Sequence, residues 1–454
     1  MTHTHFIGIG GTGLSAIARV LLERGQMVSG SDQQGSALSE SIKQDGATVY
    51  IGHKAEQIQG ADIVVRSTAV LESNVEVVAA KAAGIPVVER VDYLKDFMSN
   101  QSTIAIAGSH GKTTTTAMAA WMLTALNQHP SFIVGGEIEN LGTNAHAGRG
   151  QVFVIEADEY GNMFWGLTPK IAVITNIEHD HPDFFPTADD YMQAFKKFID
   201  GIPEDGNLII CLDDSGAKEL LGYAQTKTFK TLTYSISNPK ADYIAKINSA
   251  IPGAGNQFTF IRGRENLCEV ALQVPGRHNV LNATAALIIA DLLKLNLADA
   301  ALALGDFQGA GRRFDILGKV EEIVFIDDYG HHPTEIKATL SAAKERYPGQ
   351  RIWAVWQPHT YSRTFELLSD YRQAFSEADQ VLMTKVYAAR EEQPDNFTHQ
   401  NILDAIEHPQ IRLTKELDKT SAYLLKNIKP KDIVIVFSAG NANQVSAQVY
   451  KSLQ

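Results

Sequence analysis

Residues 104–116 read IAIAGSHGKTTTT, and the fold turns on that passage. Apolar residues lead into two glycines, a lysine and a run of threonines, so a strand hands over to a helix through a glycine loop. Gly108, Gly111, Lys112 and Thr113 reproduce the working end of a P-loop: amides cradle phosphates, an ammonium reaches the β- and γ-phosphates, and a hydroxyl serves magnesium. Only Ser109 and His110 separate the glycines, so the motif departs from GxxxxGK[ST]. No NKxD tetrapeptide is present to read guanine, which favours ATP over GTP. Such a unit belongs to a mostly parallel α/β sheet that binds ligands outside the carboxyl ends of its strands.

Upstream, HFIGIG, QMVSGSD, TVYIGH, DIVVRSTA and IPVVER alternate with helical patterns, the rhythm of parallel βαβ units. GIGGTG, Gly8 to Gly13, follows the first strand and opens an apolar helix, and Asp32 ends the next strand. Such glycines let amides approach a diphosphate at a helix N-terminus. From these residues it belongs to NAD or to a UDP-sugar. The first choice makes a nicotinamide-dependent oxidoreductase, which leaves the P-loop without a use. The polar break MSNQS, 98–102, closes a first domain over 1–100.

Downstream, TIAIAG, VFVIEAD, IAVITNI and NLIICLDD form a second strand series, and QFTFIRG and EVALQV extend it in antiparallel fashion. Two strand ends are acidic: Glu156, Asp158 and Glu159, then Glu178, Asp180, His181 and Asp183. Beside a P-loop, oxygen ligands and a histidine suit magnesium and triphosphate, although loop carboxylates and capped helix starts look the same. GRHNVLNATAA, 276–286, sets His278, Asn279 and Asn282 at a helix entrance, where Asn279 reads as a cap and the amides can also meet an adenine edge. GAGRRFD carries Arg312 and Arg313 into a third strand series, VFIDD, RIWAVWQ, QVLMTKVY and DIVIVFSAG. Ile336, Leu340, Ala343 and Tyr347 mark one face of a helix between the first two of these strands. FIDDYGHHPTE and WQPHTYSRT each end a strand with histidine, and Arg363 can pair with a substrate carboxylate. Zinc is the competing use of these histidines, but HHxxE lacks the i, i+4 pair of the helical zincins.

A chain of 454 residues exceeds one core and calls for two or three domains. Its net charge of −12 argues against nucleic acid as a partner, so phosphate recognition falls to loops and helix ends. Cys211 and Cys268 make neither a CxxC nor a disulfide framework, which suits a reducing cytoplasm. No apolar run reaches the ~18 residues of a membrane span, and MTHTHFIGIGGTGLS lacks a cationic region before an apolar one. Cytoplasmic location without membrane insertion is the expectation.

Taken in order, FIGIGGTGLS, AGSHGKTTTT, GGEIENLGTNA, EADE, TNIEHDH, GRHNVLNATAA, RRFD, DDYGHHPTE, QPHTYSRT and VYAARE span the chain and resemble the Mur ligases. The branch that adds L-alanine to UDP-N-acetylmuramate is the nearest. The resemblance implies a Rossmann-like UDP-sugar-binding domain (1–100), a central P-loop ATP-binding domain with a mostly parallel sheet (101–311), and a C-terminal Rossmann-like domain for the amino acid (312–454). It places Gly10, Gly11, Thr12, Gly13, Asp32, Ser67 and Asn144 around the UDP-sugar. Around ATP it places Gly108, Ser109, His110, Gly111, Lys112, Thr113 and Thr114, with Asn282, Arg313 and Asp328. Thr113 and Glu156 take a first Mg2+ and His181 a second; His331, His359 and Arg363 line the L-alanine pocket; Lys112, His181, His278 and Arg313 carry catalysis. In that scheme the muramate carboxylate attacks ATP to give an acyl phosphate and ADP, and the alanine amine then displaces phosphate. The partners implied are small molecules alone, with the enzyme a monomer or weak homodimer.

Three departures stand out. QPHTYSR has Thr360 where the alanine-adding branch often has arginine. EADEYGNMFW is similar to the branch that attaches L-alanyl-γ-D-glutamyl-diaminopimelate, the alternative reading within the family. Lys196 and Lys197 lie near the place where sister enzymes carry a carbamylated lysine, without a clean register.

Overall fold

The structure is a computed structural model that describes residues 2–98, 101–395 and 397–454. Ser99 and Asn100, where the first domain boundary was expected, lie outside the described residues.

The described residues form three sheets of five, ten and six strands. The five-stranded sheet is parallel throughout, in the spatial order Thr48–Ile51, Met27–Asp32, His3–Ile7, Ile63–Arg66, Val87–Glu89. Strand order reverses beside His3–Ile7, and the glycine loop leaves the carboxyl end of that strand, which makes it the switch-point crevice of an open sheet.

The ten-stranded sheet has a parallel centre in which Ser102–Ala107 lies between Ile171–Ile174 and Val152–Glu156. Both acidic strand ends therefore flank the P-loop. Asn256–Arg262 and Glu265–Ala271 add the expected antiparallel extension. At the other edge Ser131–Ile138 pairs with Thr143–His146, a strand pair the sequence pattern does not announce. Gly135 breaks that pattern for a reason: a Cβ there would come within 2.6 Å of Glu156 Oε2. The helix Lys112–Ala125 packs on Arg277–Leu292, and most residues of both are buried, the composition of interior helices rather than of a surface stripe.

The six-stranded sheet is parallel except for its edge strand Asp315–Val320. The helix expected there runs Pro333–Arg346, with Ile336, Leu340 and Ala343 buried on the sheet. Tyr347 packs on the same core but has left helical geometry, since it is the C-cap residue at φ −124° and ψ 64°.

Two kinds of joint connect the sheets. The first and central sheets share one apolar core, in which Phe97 stacks on Tyr93 at 5.8 Å and meets Phe153 edge-on at 5.7 Å. The C-terminal sheet has cores of its own. Its connection begins with residues stitched to the central sheet, where Gly311 N–H donates to Glu137 O at 2.8 Å and Ile138 bridges to Ala310. Arg312 and Phe314 follow at φ 60° and 51°, left-handed conformations that non-glycine residues seldom adopt. Among the described residues no helix is long and apolar enough to cross a membrane.

Candidate active site

The P-loop turns from strand to helix through Gly108 at φ 137° and Gly111 at φ 78°. A Cβ on Gly111 would also stand 2.8 Å from Asn282 Oδ1, so this glycine serves both the turn and a close approach. Lys112 folds back over its own loop. Its Nζ donates to Gly108 O at 2.6 Å and to Ser109 O at 3.1 Å, and it meets the buried carboxylate of Glu159 at 2.9 Å. Burial works against the ammonium, but Glu159 more than offsets it and raises the lysine pKa. Thr113 Oγ1 donates to Glu156 Oε1 at 3.0 Å, and Gly135 N–H donates to Oε2 at 2.6 Å. Hydroxyl and carboxylate oxygens so close form the hard-donor pair that suits magnesium.

His110 joins two domains. It contacts Glu178 Oε2 through Nε2 at 3.0 Å and Glu335 Oε1 of the C-terminal domain through Nδ1 at 3.3 Å. Burial disfavours its charge, yet Glu335 and Glu178 prevail and raise the pKa to about 10. It is an imidazolium held between two carboxylates. Glu335 owes its place to helix capping, since its Oε2 also accepts from the N–H groups of His331 and His332 at the start of Pro333–Arg346. Thr334 adds a second strut, its hydroxyl donating to Glu178 Oε1 at 2.8 Å.

Between the two domains lies a cavity of about 210 Å³ lined by Gly111, His278, Asn282, Arg313 and Asp328 among others. Pockets for ligands usually measure roughly 300–1,000 Å³, so this one is narrow. Burial lowers His278 to a pKa of about 4 and keeps its ring neutral. Burial also raises Asp328 to about 6 although Arg313 opposes it. Asp328 accepts from the N–H groups of Phe314 at 2.9 Å and Gly330 at 2.6 Å, which fixes the connection next to the cavity. Asn279 does not cap its helix. Gly276 holds that position, and Asn279 donates to Pro275 O at 2.7 Å while its Oδ1 accepts from Asn282 at 3.0 Å, so it orients Asn282. A larger open hollow of about 640 Å³ at the outer edge of the C-terminal sheet shares no residue with this cavity.

The third cluster gathers His331, His359 and Arg363 as the sequence anticipates, and adds Asp180. Arg363 Nε donates to Asp180 Oδ1 at 2.8 Å, with both side chains 5% exposed. Its Nη1 and Nη2 donate to His359 Nδ1 at 3.0 Å and to His181 Nδ1 at 3.1 Å. A guanidinium only donates, so both histidines are neutral and protonated on Nε2. Burial and then Arg363 lower His359 to about 4, in agreement with that tautomer. The buried Asp180 carboxylate, though burial opposes its charge, is held well below the usual range by the Arg363 guanidinium. Asp180 ends its strand in the sequence, yet nothing local names its partner 183 residues away. Lys196 and Lys197 stay outside the site: Lys197 Nζ lies 3.6 Å over the Trp165 ring and Lys196 Nζ 5.8 Å over Tyr223. From the same helix Tyr191 reaches in, 3.0 Å from Ser109 Oγ and 3.2 Å from Glu159 Oε1.

In the first domain Gly10 N–H donates to Asp32 Oδ2 at 2.9 Å, and Gly11 precedes the helix Thr12–Glu23 without any side-chain cap. Ser67 closes on the loop, its Cβ 3.2 Å from where a Gly8 Cβ would be. Asn144 sits apart on the central sheet and donates to Val134 O at 3.3 Å. Arg19 ties this region to the first domain by donating to Thr143 Oγ1 at 3.0 Å. Against Gly13 lies Arg90, a residue sequence reading passes over; a Cβ on Gly13 would meet its Nη1 at 1.8 Å.

Three family models cover nearly all of the chain: Mur ligase family, catalytic domain, over residues 3–102; Mur ligase middle domain over 106–290; and Mur ligase, glutamate ligase domain, over 312–440. The UDP-N-acetylmuramate--L-alanine ligase of Pelotomaculum thermopropionicum is 40% identical across 100% of this chain and 98% of its own length. That of Desulforamulus reducens is 41% identical across 99% and 97%. The crystal structure of UDP-N-acetylmuramate-alanine ligase MurC from Thermotoga maritima superposes with a TM-score of 0.84 at 28% identity, covering 100% of this chain and 99% of that one. A murein peptide ligase from Psychrobacter arcticus reaches 0.72 at 25% identity, covering 100% and 99%.

Proposed function

The chain belongs to the Mur ligase family, and on that premise we propose that it joins L-alanine to the lactoyl carboxylate of UDP-N-acetylmuramate at the expense of ATP. The observation that carries this reading is kinship over the whole length with L-alanine ligases, at 40% identity. The murein peptide ligase is the more distant of the two folds compared, by TM-scores of 0.72 against 0.84. The nicotinamide alternative has lost its ground, because the family accounts for the glycine loop and the P-loop together.

In this reading the first domain, residues 1–100, holds the UDP-sugar on Gly10, Gly11, Thr12, Gly13, Asp32 and Ser67, with Asn144 reaching it from the central sheet. The central domain, 101–311, binds ATP, and the C-terminal domain, 312–454, brings L-alanine to His331, His359 and Arg363. Lys112 must leave Glu159 to meet the γ-phosphate, where it offsets the charge that builds as a carboxylate attacks a polyphosphate. Arg313 and Asp328 close on the nucleotide from the C-terminal side, and His278 and Asn282 pack against it. Thr113 and Glu156 would hold one magnesium ion; His181 would serve a second once its ring parts from Arg363 and frees Nδ1. Bound there, magnesium would neutralise phosphate oxygens and polarise the γ-phosphoryl group. The cavity between the central and C-terminal domains and its neutral His278 support the nucleotide assignment. We place the enzyme in the cytoplasm as a monomer or weak homodimer.

The test is phosphate release from ATP with UDP-N-acetylmuramate and each of L-alanine, glycine, L-serine and the tripeptide L-alanyl-γ-D-glutamyl-diaminopimelate. Turnover that depends on both the sugar nucleotide and L-alanine is expected. Preference for the tripeptide would transfer the enzyme to the recycling branch.

A further inference from the structure

Arg90 opens the helix Arg90–Phe97, and its side chain lies against Gly13, where a Cβ would come within 1.8 Å of Nη1, 2.7 Å of Cζ and 3.4 Å of Cδ. In the dinucleotide fingerprint the last glycine gives way to close helix–strand packing. Here the space beside Gly13 is taken by a cation instead.

That cation is held in an electrostatically awkward place. Gly13 belongs to the first turn of Thr12–Glu23, and this helix has neither a side-chain cap nor an acidic residue at its start. The positive end of a helix dipole and a guanidinium disfavour each other at close range. The carboxylates that could relieve them are engaged elsewhere: Asp32 accepts from Gly10 N–H at 2.9 Å, and Glu89 pairs with Arg66 at 2.5 Å. Among the described residues Arg90 pairs only with Asp158 of the central domain, at 3.6 Å, beyond hydrogen-bond range. Asp158 is itself half exposed, and its Oδ1 accepts from Tyr160 N–H at 3.2 Å. An arginine fork and uncapped amides facing the same space are complementary to an anion with several oxygens.

We propose that Arg90 grips the diphosphate of the sugar nucleotide, exchanging its loose contact with Asp158 for bidentate bonds to phosphate oxygens. This deepens the reading of the first domain as the UDP-sugar site and rests on it. Asp158 is then a competitor that keeps Arg90 extended over the loop until a diphosphate arrives.

Calorimetric titration with UDP-N-acetylmuramate and with UDP distinguishes the two levels. In Arg90→Gln both ligands weaken by roughly tenfold or more, the scale of losing charge-assisted hydrogen bonds. Arg90→Lys, which keeps the charge and loses the fork, falls between. Asp158→Asn binds both ligands as tightly as the wild type or more tightly, because the competing carboxylate is gone. Wild-type affinity in folded Arg90→Gln and Arg90→Lys would overturn the role of Arg90 and leave the site in place. An Asp158→Asn variant weakened as much as Arg90→Gln overturns it too, since the ion pair would then be what matters. Failure of the wild-type protein to bind either ligand removes the underlying UDP-sugar reading instead.

Discussion

Lys112 and Glu159 form a buried ion pair across the mouth of the P-loop, with Nζ 2.9 Å from the carboxylate. The lysine is also tied to two carbonyls of its own loop, so its charge is spent internally in this state. In the proposed reaction a triphosphate has to take Lys112 away from Glu159.

Lys112→Ala is expected to lower turnover by roughly 10³ or more, the scale of a lost transition-state charge. It also strands the Glu159 carboxylate, and breaking a buried pair costs about 3–5 kcal/mol. Lys112→Ala/Glu159→Gln should therefore recover thermal stability without recovering turnover. Melting curves and phosphate-release rates on the same preparations check both halves.

Arg363→Ala should raise the KM for L-alanine by about tenfold or more, with far less effect on that for ATP, because a substrate carboxylate loses its partner at one pocket alone. The single substitution uncovers the buried Asp180, so Arg363→Ala/Asp180→Asn is the cleaner comparison. An L-alanine KM unchanged in both variants removes Arg363 from the pocket.

The His110–Glu335 contact has a definite pH signature. His110 is raised to about 10 in this structure, so its stabilising contribution is complete below the ordinary histidine value of about 6.5 and is lost as pH climbs through about 10. Glu335→Gln removes the largest attraction that raises it. The difference in melting temperature between wild type and Glu335→Gln should be largest near neutral pH and shrink towards pH 10–11, read from parallel melts across that range.

Lys196→Arg and Lys197→Arg should keep activity within about twofold, the usual scale of a surface change. Their ammonium groups lie over Tyr223 and Trp165, away from Glu156 and Thr113. A large loss that bicarbonate reverses would return a carbamylated lysine to the metal site.

What could be read from the sequence was local. The P-loop, both acidic strand ends and the paired histidines are each set by a strand that stops where its apolar run stops, and those strands are present as written. Less legible were positions where tertiary demands displaced the local pattern. Ser131–Ile138 does not look like a strand because Gly135 makes room for Glu156. Asn279 has the composition of a cap and instead serves Asn282. Asp180, Glu178 and Glu335 take their meaning from partners in other elements, and no spacing along the chain encodes Arg363 beside Asp180.

The two joints between domains differ in kind, and that difference sets the mechanics. Residues up to Gly311 are fastened to the central sheet, so turning is confined to the short stretch holding the left-handed Arg312 and Phe314. Arg313 lies on that axle, whereas Arg363 rides on a different strand end of the swinging body. Rotation moves a point in proportion to its distance from the axle. Were the C-terminal domain to turn about that stretch, the cluster of His331, His359 and Arg363 would travel far from Asp180 while Arg313 stayed beside the cavity. The apolar joint on the other side supplies the fixed base for such a turn.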